Sequence, residues 1–278
     1  MNLSRKQQIL LLCTLIGIVF FVSSDTPSSR VEAQDDVIVP EQFLEIIQPT
    51  VEHEGTYEYL EITDSCDPYF EGHCIPAYAG PGTQFEEVSD LRKDMIFKIR
   101  GRVQVNGQLW YRVYFDEWLR HPERVNGDWY IPAVAGRVIR DDGEKILGKE
   151  NVITSKKIII DPSEHMIYAY DGNTLFFQTK VASGIESTPT PVGTFSIYKK
   201  TPTRYMQGPI PGVSDVPFDL PGVPWNMYFT DDGAVIHGSY WHDRYGTNQS
   251  SGCINLPSEI AKILYDWAPL GTTVTVRR

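Results

Sequence analysis

The stretch that decides how this chain folds and reacts is Val235–Pro257, V-I-H-G-S-Y-W-H-D-R-Y-G-T-N-Q-S-S-G-C-I-N-L-P. It contains His237-Gly238 and, further on, Gly252-Cys253. Cysteine is a strong nucleophile as the thiolate, and a nearby imidazole supplies the base or holds the thiolate as an ion pair. Glycine before the cysteine leaves room for a substrate carbonyl beside the backbone, where the amides of Gly252 and Cys253 can donate to the oxyanion. The stretch therefore predicts a site for nucleophilic catalysis.

The same stretch resembles the active-site signature of the L,D-transpeptidase catalytic domain, the YkuD family. That signature is His-Gly, a spacer of similar length, Ser/Thr-His-Gly-Cys, an apolar residue, and Asn or Arg. The matching residues at the cysteine end are Ser250, Gly252, Cys253, Ile254 and Asn255. Ser251 departs from the signature, because the family usually has a second histidine there. The resemblance covers residues 153–278.

The resemblance implies acyl transfer from peptidoglycan stem peptides, without a cofactor. Cys253 is then the nucleophile, His237 the base, and the carbonyl of Gly238 or Ser239 the group that orients the imidazole. Serine cannot carry the charge of imidazole, so the change at position 251 predicts slower turnover, a shifted pH profile, or a partial role for His242. The residues expected to contact substrate are Tyr228, Ser239, Tyr240, Trp241, His242, Ser251 and Asn255.

Other functions remain open at the level of sequence. The same thioester can be hydrolysed by water, which would make the protein an L,D-carboxypeptidase. A wall-binding protein with a weakened catalytic site is a second alternative. A metal site formed by His237, His242 and Cys253 is a third, disfavoured because only one thiol is present. A papain-like endopeptidase is disfavoured because its cysteine precedes its histidine.

Composition limits the class of protein. The chain has 278 residues, enough for two modest domains and a leader, and 41% of them are hydrophobic. Its formal net charge is −11 and its pI is about 5.0. An acidic chain of this kind is not expected to bind nucleic acid.

The four cysteines are Cys13, Cys66, Cys74 and Cys253. Cys66 and Cys74 lie in a polar segment and are expected to form a disulfide in an oxidising compartment. Cys253 is then an unpaired thiol, which is unusual in an exported protein and indicates reactivity.

The N-terminal residues 1–34 have the pattern of an export signal. Basic residues precede the apolar run Ile9–Val22, which is short for a membrane-spanning helix. Cleavage before Gln34 is predicted, with an uncleaved membrane anchor as the alternative. Either case places the remaining chain outside the cytoplasm. Residues 35–55 are predicted to be a linker or one weak helix.

Residues 56–145 show short alternating runs separated by turn residues. Ile96–Val103 and Leu109–Phe115 flank Asn106-Gly107, a strong hairpin signal. With Tyr78–Thr83 as a first turn and Trp110 as a hairpin tryptophan, this part resembles a bacterial SH3-like barrel. It is expected either to hold cell-wall glycan or peptide against exposed aromatic side chains, or to be a spacer with its tryptophan in the core.

Overall, the sequence predicts a mainly β protein, with a small SH3-like barrel followed by a β-sandwich catalytic domain that has a short helix after the nucleophile. The strands predicted in residues 153–278 are Lys156–Asp161, Met166–Tyr170, Leu175–Ala182, Val223–Phe229 and Gly271–Val276. Residues 199–224 contain many Pro and Gly and are predicted to be a long lid loop. The helix is predicted over Glu259–Trp267, with Ser258 as its cap and with Ile260, Ile263, Leu264 and Trp267 on one face.

Overall fold

A computed structural model describes residues 45–47, 56–148 and 152–277. The predicted export signal, including Cys13, lies outside these residues. In the part of the chain that is described, no helix has the length and apolar composition needed to cross a bilayer.

The first sheet contains eight strands. They are β1 Glu45–Ile47, β2 Tyr57–Ile62, β3 Pro76–Tyr78, β4 Glu87–Asp90, β5 Ile96–Val105, β6 Gln108–Val113, β7 Trp129–Pro132 and β8 Gly136–Asp141. Their order is β4-β3-β7-β6-β5-β2-β8, with β1 also paired to β5. Two short 3-10 helices lie beside β7, at Pro122–Arg124 and Ala133–Ala135.

The hairpin between β5 and β6 forms as predicted, because Asn106 and Gly107 both have positive φ, at 51° and 79°. The SH3-like barrel is not supported. Among the described residues, the strands of this sheet run in order from β4 to β8, and these two end strands are not paired with each other as they would be in a closed barrel. The predicted linker or weak helix is also corrected, since Glu45–Ile47 is a strand paired with Arg102–Gln104.

Trp110 belongs to the protein interior. It is 1% exposed and lies edge-on to Tyr78, with 5.7 Å between ring centroids. An aromatic pair of this geometry stabilises a core beyond simple burial. Of the two alternatives given for this tryptophan, the core position is therefore the one observed, and its side chain is not available to a ligand.

The residues after this sheet form two further sheets and one helix. The strands are β9 Lys145–Ile146, β10 Lys156–Asp161, β11 Met166–Asp171, β12 Thr174–Lys180, β13 Ala182–Gly184, β14 Gly193–Ser196, β15 Lys199–Gln207, β16 Asp219–Tyr228, β17 Val235–Gly238, β18 Thr247–Ser250, β19 Ile254–Leu256 and β20 Thr273–Val276, and the helix is α1 Ser258–Trp267. One sheet has the order β12-β11-β10-β20-β14 and the other β18-β13-β19-β17-β16-β15-β9.

Both sheets and the helix contribute to one apolar core. Ile158 and Val274 come from the five-stranded sheet, Met227 and Ile236 from the seven-stranded sheet, and Leu264 from α1. Two sheets that enclose a common apolar layer form a sandwich, as the sequence predicts.

The predicted loop over 199–224 is too long, because β15 and β16 form a long antiparallel hairpin there and only residues 208–218 connect them. This shorter connection does line the cavity that contains Cys253, as the lid prediction expects. The prolines suggested a loop. However, β16 pairs with β17 only at Met227 and Tyr228, so its earlier residues have one strand neighbour and tolerate Pro221 and Pro224.

The helix after the nucleophile is present, with two corrections. Pro257 occupies the N-cap position, and Ser258 is the first helical residue. Ile263 is 48% exposed, so it does not share the inner face with Leu264. That face also contains Ala261 and Tyr265, both of which are buried.

The predicted disulfide joins Cys66 and Cys74, whose Cα atoms are 4.5 Å apart. The loop that it closes contacts the segment after His237: the Tyr69 hydroxyl donates to Asp243. Arg92 lies between the Phe70 and Tyr240 rings, 4.7 Å from each centroid. The disulfide loop thus packs beside the segment that continues from β17.

Replacing both cysteines of the disulfide with serine is expected to lower the free energy of unfolding by about 2–3 kcal/mol, because the unfolded chain regains the entropy of an open loop. Urea unfolding measures this change. A reducing agent should bring the wild-type protein to the stability of the double variant and leave the variant unchanged. Equal stability of both proteins under oxidising conditions would contradict the prediction.

Candidate active site

Two neighbouring parallel strands bring the predicted catalytic residues together. In the β17–β19 pair, His237 lies opposite Asn255, and Cys253 directly precedes β19. Adjacent strands are about 4.8 Å apart, and side chains two residues apart on a strand share a face. His237, Cys253 and Asn255 accordingly line one cavity of about 460 Å³.

The imidazole of His237 is held in one orientation. The ring is 2% exposed, and Nδ1 lies 2.9 Å from the carbonyl oxygen of Gly238. A carbonyl oxygen only accepts hydrogen bonds, so Nδ1 carries the proton in this contact and Nε2 keeps its lone pair. The orienting group is therefore the carbonyl of Gly238, one of the two that the resemblance implies.

Gly238 has a packing requirement as well as a carbonyl. A Cβ at this position would lie 2.9 Å from Cγ of Pro224 and 2.9 Å from Cα of Ser258. Real Cβ atoms essentially never approach so closely to backbone atoms. Glycine after the histidine therefore lets β17 pack against β16 and the start of α1.

Burial leaves the histidine and cysteine pair uncharged at neutral pH. It lowers the pKa of His237 to about 4, an effect opposed by the bond to Gly238 and assisted by the positive charge of Arg204. Burial also raises the pKa of Cys253, although the Val235 N–H and Arg204 act in the opposite direction. At neutral pH Cys253 is accordingly a thiol and His237 a neutral imidazole, the protonation states that a general base mechanism requires, rather than an ion pair.

The Ser250 hydroxyl orders the loop that carries the nucleophile. Its Oγ donates to the carbonyl of Cys253 at 2.6 Å and accepts from the N–H of Gly252 at 3.1 Å. Gly252 has φ of +107°, a conformation that favours glycine. The prediction that the Gly252 amide faces an oxyanion is not supported, because that N–H is already engaged within the loop.

Arg204 lines the same cavity, although it is not among the site residues predicted from the sequence. It lies on β15 beside a register shift, and its Nη1 donates to the Tyr228 hydroxyl at 2.9 Å. Its charge favours the thiolate of Cys253 and disfavours the protonated form of His237. The segment was predicted to be a lid, and no local motif marks this arginine.

The residues predicted to contact substrate divide into two groups. Trp241, Ser251 and Asn255 line the cavity. Ser239, Tyr240, His242 and Tyr228 are not part of its wall. For these four residues the prediction of substrate contact is not supported, and each has an engaged or buried side chain instead.

Tyr240 is 1% exposed and donates to the carbonyl of Pro221 at 2.6 Å. Ser239 Oγ lies 2.9 Å from the Tyr245 hydroxyl. Tyr228 accepts from Arg204 and lines a neighbouring cavity of about 510 Å³, which shares Trp118 and Arg204 with the first. A buried polar atom must be hydrogen-bonded within the protein. These hydroxyl groups are engaged in that way, so they stabilise the fold around the cavity instead of facing a ligand.

His242 is also buried and hydrogen-bonded within the protein. The Asn255 amide donates to its Nε2 at 2.9 Å, which ties the segment after β17 to β19. Burial lowers the pKa of His242 to about 4, with a further contribution from Arg244. Because His242 does not line the cavity, its suggested replacement of the family histidine at position 251 lacks support.

The two buried histidines make stability depend on pH. Their folded pKa values of about 4 lie below the ordinary value of 6.5, so between these pH values the unfolded chain binds more protons than the folded protein. Stability is therefore expected to fall as the pH drops from 6.5 towards 4, by up to about 3 kcal/mol for each histidine. Urea unfolding across this range measures the loss.

The variant His242→Gln should show a smaller loss of stability on acidification than the wild type, because one buried titrating group has been removed. The exposed His73 provides the matched control, and His73→Gln should retain the wild-type dependence. Identical slopes in the wild type and His242→Gln would overturn the assignment of acid sensitivity to His242.

Residues 155–276 match the model of the L,D-transpeptidase catalytic domain, the YkuD family. This part of the chain is an L,D-transpeptidase catalytic domain. The paired β17 and β19 strands, with His237 and Cys253, lie within the matched residues. The sequence resemblance to this domain is thereby confirmed, whereas the roles of the individual residues remain predictions.

Several solved structures of L,D-transpeptidases are similar to this domain and its surroundings. The Enterococcus faecium enzyme is 28% identical, with 45% of this chain and 50% of that chain covered and a TM-score of 0.41. The Mycobacterium smegmatis enzyme is 19% identical, with 62% and 91% covered and a TM-score of 0.43. L,D-transpeptidase 3 from Mycobacterium tuberculosis is 16% identical, with 62% and 92% covered and a TM-score of 0.42.

This chain covers half the length of the Enterococcus faecium chain that it matches. A comparison with curated proteins finds no match. Within the described residues of the L,D-transpeptidase domain and the sheet before it, no group of three His, Cys, Asp or Glu side chains is arranged to hold a metal ion.

Proposed function

We propose that this protein is a peptidoglycan L,D-transpeptidase that works through a thioester on Cys253. The observation that carries the proposal is the pairing of β17 with β19, which brings an oriented imidazole and an unpaired cysteine to one cavity. The family match over residues 155–276 supports the same reaction class.

In the first step, Cys253 attacks the carbonyl of the third residue of a stem tetrapeptide. A C–S bond forms and the C–N bond to the terminal D-alanine breaks. His237 takes the thiol proton through Nε2 and gives it to the leaving amine, so the imidazole ends this step neutral. The hydrogen bond from Nδ1 to Gly238 leaves the lone pair of Nε2 free to accept that proton.

In the second step, an amine from a neighbouring stem attacks the thioester. A new amide bond forms, the C–S bond breaks, and the amine proton returns to sulfur through His237. Water is a competing acceptor, and hydrolysis of the same thioester would be L,D-carboxypeptidase activity. The Cys253 N–H is the proposed oxyanion donor, and the Arg204 charge favours the anionic states of this site.

The proposed place of action is outside the cytoplasm, at the cell wall. A disulfide within the chain is typical of oxidising compartments, and Cys66 and Cys74 form one. The export signal predicted at residues 1–34 supports the same location. Peptidoglycan stem peptides, the proposed partners, are found there.

Incubation of the purified protein with a stem tetrapeptide and an amine acceptor tests the proposal. Mass analysis is expected to show free D-alanine, a product in which tripeptide and acceptor are joined, and an acyl adduct on the peptide that contains Cys253. A tripeptide without joined product would indicate a carboxypeptidase. Absence of both D-alanine and adduct would refute the proposed thioester chemistry.

A further inference from the structure

The loop between β6 and β7 in the N-terminal sheet reaches the active-site cavity. Trp118 and Arg120, on this loop, line the cavity that also contains Cys253 and His237. Neither residue lies within the matched catalytic domain, residues 155–276. The cavity is thus built by two separate parts of the chain.

Hydrogen bonds on both sides of Trp118–Arg120 fasten the loop to β15. Before it, Glu117 Oε1 accepts from the Tyr205 N–H at 2.7 Å. After it, the His121 N–H donates to Gln207 Oε1 at 2.8 Å, and Gln207 Nε2 donates to the His121 carbonyl at 3.1 Å. Gln207 therefore bonds to both the N–H and the carbonyl of His121. Two such bonds fix the orientation of the loop on β15 as well as its distance from that strand.

A bulge in β16, opposite Tyr205, explains why this attachment is available. The β15–β16 register shifts between Arg204 and Met206, which leaves Tyr205 without a paired residue on β16. An unpaired backbone N–H at a bulge needs another acceptor, and Glu117 supplies it. The Tyr205 ring also packs against Phe115, with 4.8 Å between centroids.

Between the two attachments, Trp118 and Arg120 present side chains suited to binding a ligand. Trp118 is 68% exposed, although large aromatic side chains are usually well buried. The guanidinium carbon of Arg120 lies 5.2 Å from the centroid of the Trp118 ring. An indole with an adjacent guanidinium offers an apolar surface and a planar donor for carboxylate.

The charge of the cavity wall favours an anion. Its arginines are Arg120 and Arg204, and its carboxylate is Asp232. This positive balance occurs in a chain whose formal net charge is −11. A net positive wall in the cleft of an acidic protein favours an anionic ligand.

We propose that Trp118 and Arg120 form a wall of the substrate site, in which Arg120 binds a free carboxylate of the stem peptide and Trp118 packs on the adjoining peptide. This inference rests on the proposed function for the identity of the peptide. It assigns part of the donor specificity to the N-terminal sheet, outside the catalytic domain. Trp118 and Arg120 are specificity residues here and take no part in proton transfer.

Two tetrapeptides, one with free side-chain carboxylates and one with these groups amidated, test the assignment. The wild type should prefer the free form by about ten-fold in kcat/KM, because a charge-assisted hydrogen bond is lost on amidation. Arg120→Gln should lower kcat/KM for the free form by a similar factor and remove the preference. Trp118→Ala should raise KM for both peptides by about five- to ten-fold.

Arg100→Gln is the matched control. Arg100 is an exposed arginine of the same sheet that stacks on Tyr114 at 3.4 Å and does not line the cavity, so the preference should persist. Alkylation of Cys253 by the neutral reagent iodoacetamide should proceed at the wild-type rate in all three variants, which shows that the site is intact. Unchanged preference in Arg120→Gln, with normal turnover, would overturn the inference.

Calorimetric binding to Cys253→Ala protein separates this inference from the proposed function. The binding of the free-carboxylate peptide to Cys253→Ala should weaken about ten-fold when Arg120→Gln is added. If this weakening is seen although the wild type does not process the tetrapeptide, the assignment of Arg120 and Trp118 to the binding site stands and the transpeptidase proposal fails. Binding that requires an attached sugar and ignores the carboxylates would identify a glycan site and refute the peptide assignment.

Discussion

Replacement of Cys253 by alanine is expected to abolish release of D-alanine and formation of the joined product, with a loss in kcat on the order of 10⁴-fold or more. The reason is that no other side chain in the proposed mechanism forms the covalent bond to the acyl group. Cys253 is the free cysteine among the described residues, because Cys66 and Cys74 are joined. Release of D-alanine, measured at saturating tetrapeptide, checks the prediction.

Cys253→Ser serves as the matched variant for this measurement. It keeps a side chain of nearly the same shape but substitutes a much weaker nucleophile, so we expect little turnover and a slowly formed ester in place of the thioester. Thermal unfolding of both variants should stay close to the wild type, because the contact of the sulfur with the Gly233 carbonyl is long, at 4.0 Å. An alanine variant that kept a tenth of the wild-type turnover would disprove nucleophilic catalysis by Cys253.

Replacement of His237 by glutamine is expected to lower kcat/KM by about 10²- to 10⁴-fold, the usual contribution of a positioned general base. Glutamine can still contact the Gly238 carbonyl, but its amide cannot accept the thiol proton. The cavity shape is therefore largely retained while the proton acceptor is lost. Initial rates with tetrapeptide and acceptor measure the effect.

The pH dependence of the same reaction identifies the base. The pKa of His237 is about 4, so kcat/KM should stay nearly constant from pH 7 to pH 5 and fall with a midpoint near pH 4 as the imidazole becomes protonated. His237→Gln should lack this acid limb. His242→Gln should keep the limb close to the same pH, because burial is the largest cause of the low pKa of His237 and His242 is the smallest one. A wild-type midpoint near 6.5 would contradict the buried, neutral histidine.

Much of the fold follows from local patterns. The alternation in Ile96–Val103 and the Asn106-Gly107 turn predict the hairpin of β5 and β6, since turn chemistry and side-chain period are local properties. The apolar run of Lys156–Asp161 likewise predicts β10. Prolines misled the prediction for β15 and β16, because the absence of a second strand neighbour is a tertiary property.

Only some of the residues predicted to contact substrate line the cavity, and the reason is again a tertiary property. Tyr240 and His242 follow His237 closely, and the resemblance of this segment to a variant of the family signature suggested a role in the cleft. Whether a side chain after β17 faces the cavity or the interior depends on what packs behind it. Arg92, from the N-terminal sheet, lies over the Tyr240 ring, and Asn255 binds His242. Neither contact has a signal in the local sequence.

The sequence alone determined the chemistry available to this protein: a histidine and a cysteine, each beside glycine, on segments with strand and turn patterns that place them in one catalytic domain. Tertiary structure alone decided what surrounds that pair. Arg204 enters the cavity at a bulge, and Trp118 and Arg120 reach it because Glu117 binds Tyr205, 88 residues away along the chain. Local patterns encode backbone period and turn geometry, whereas the walls of a cleft are set by contacts between distant segments.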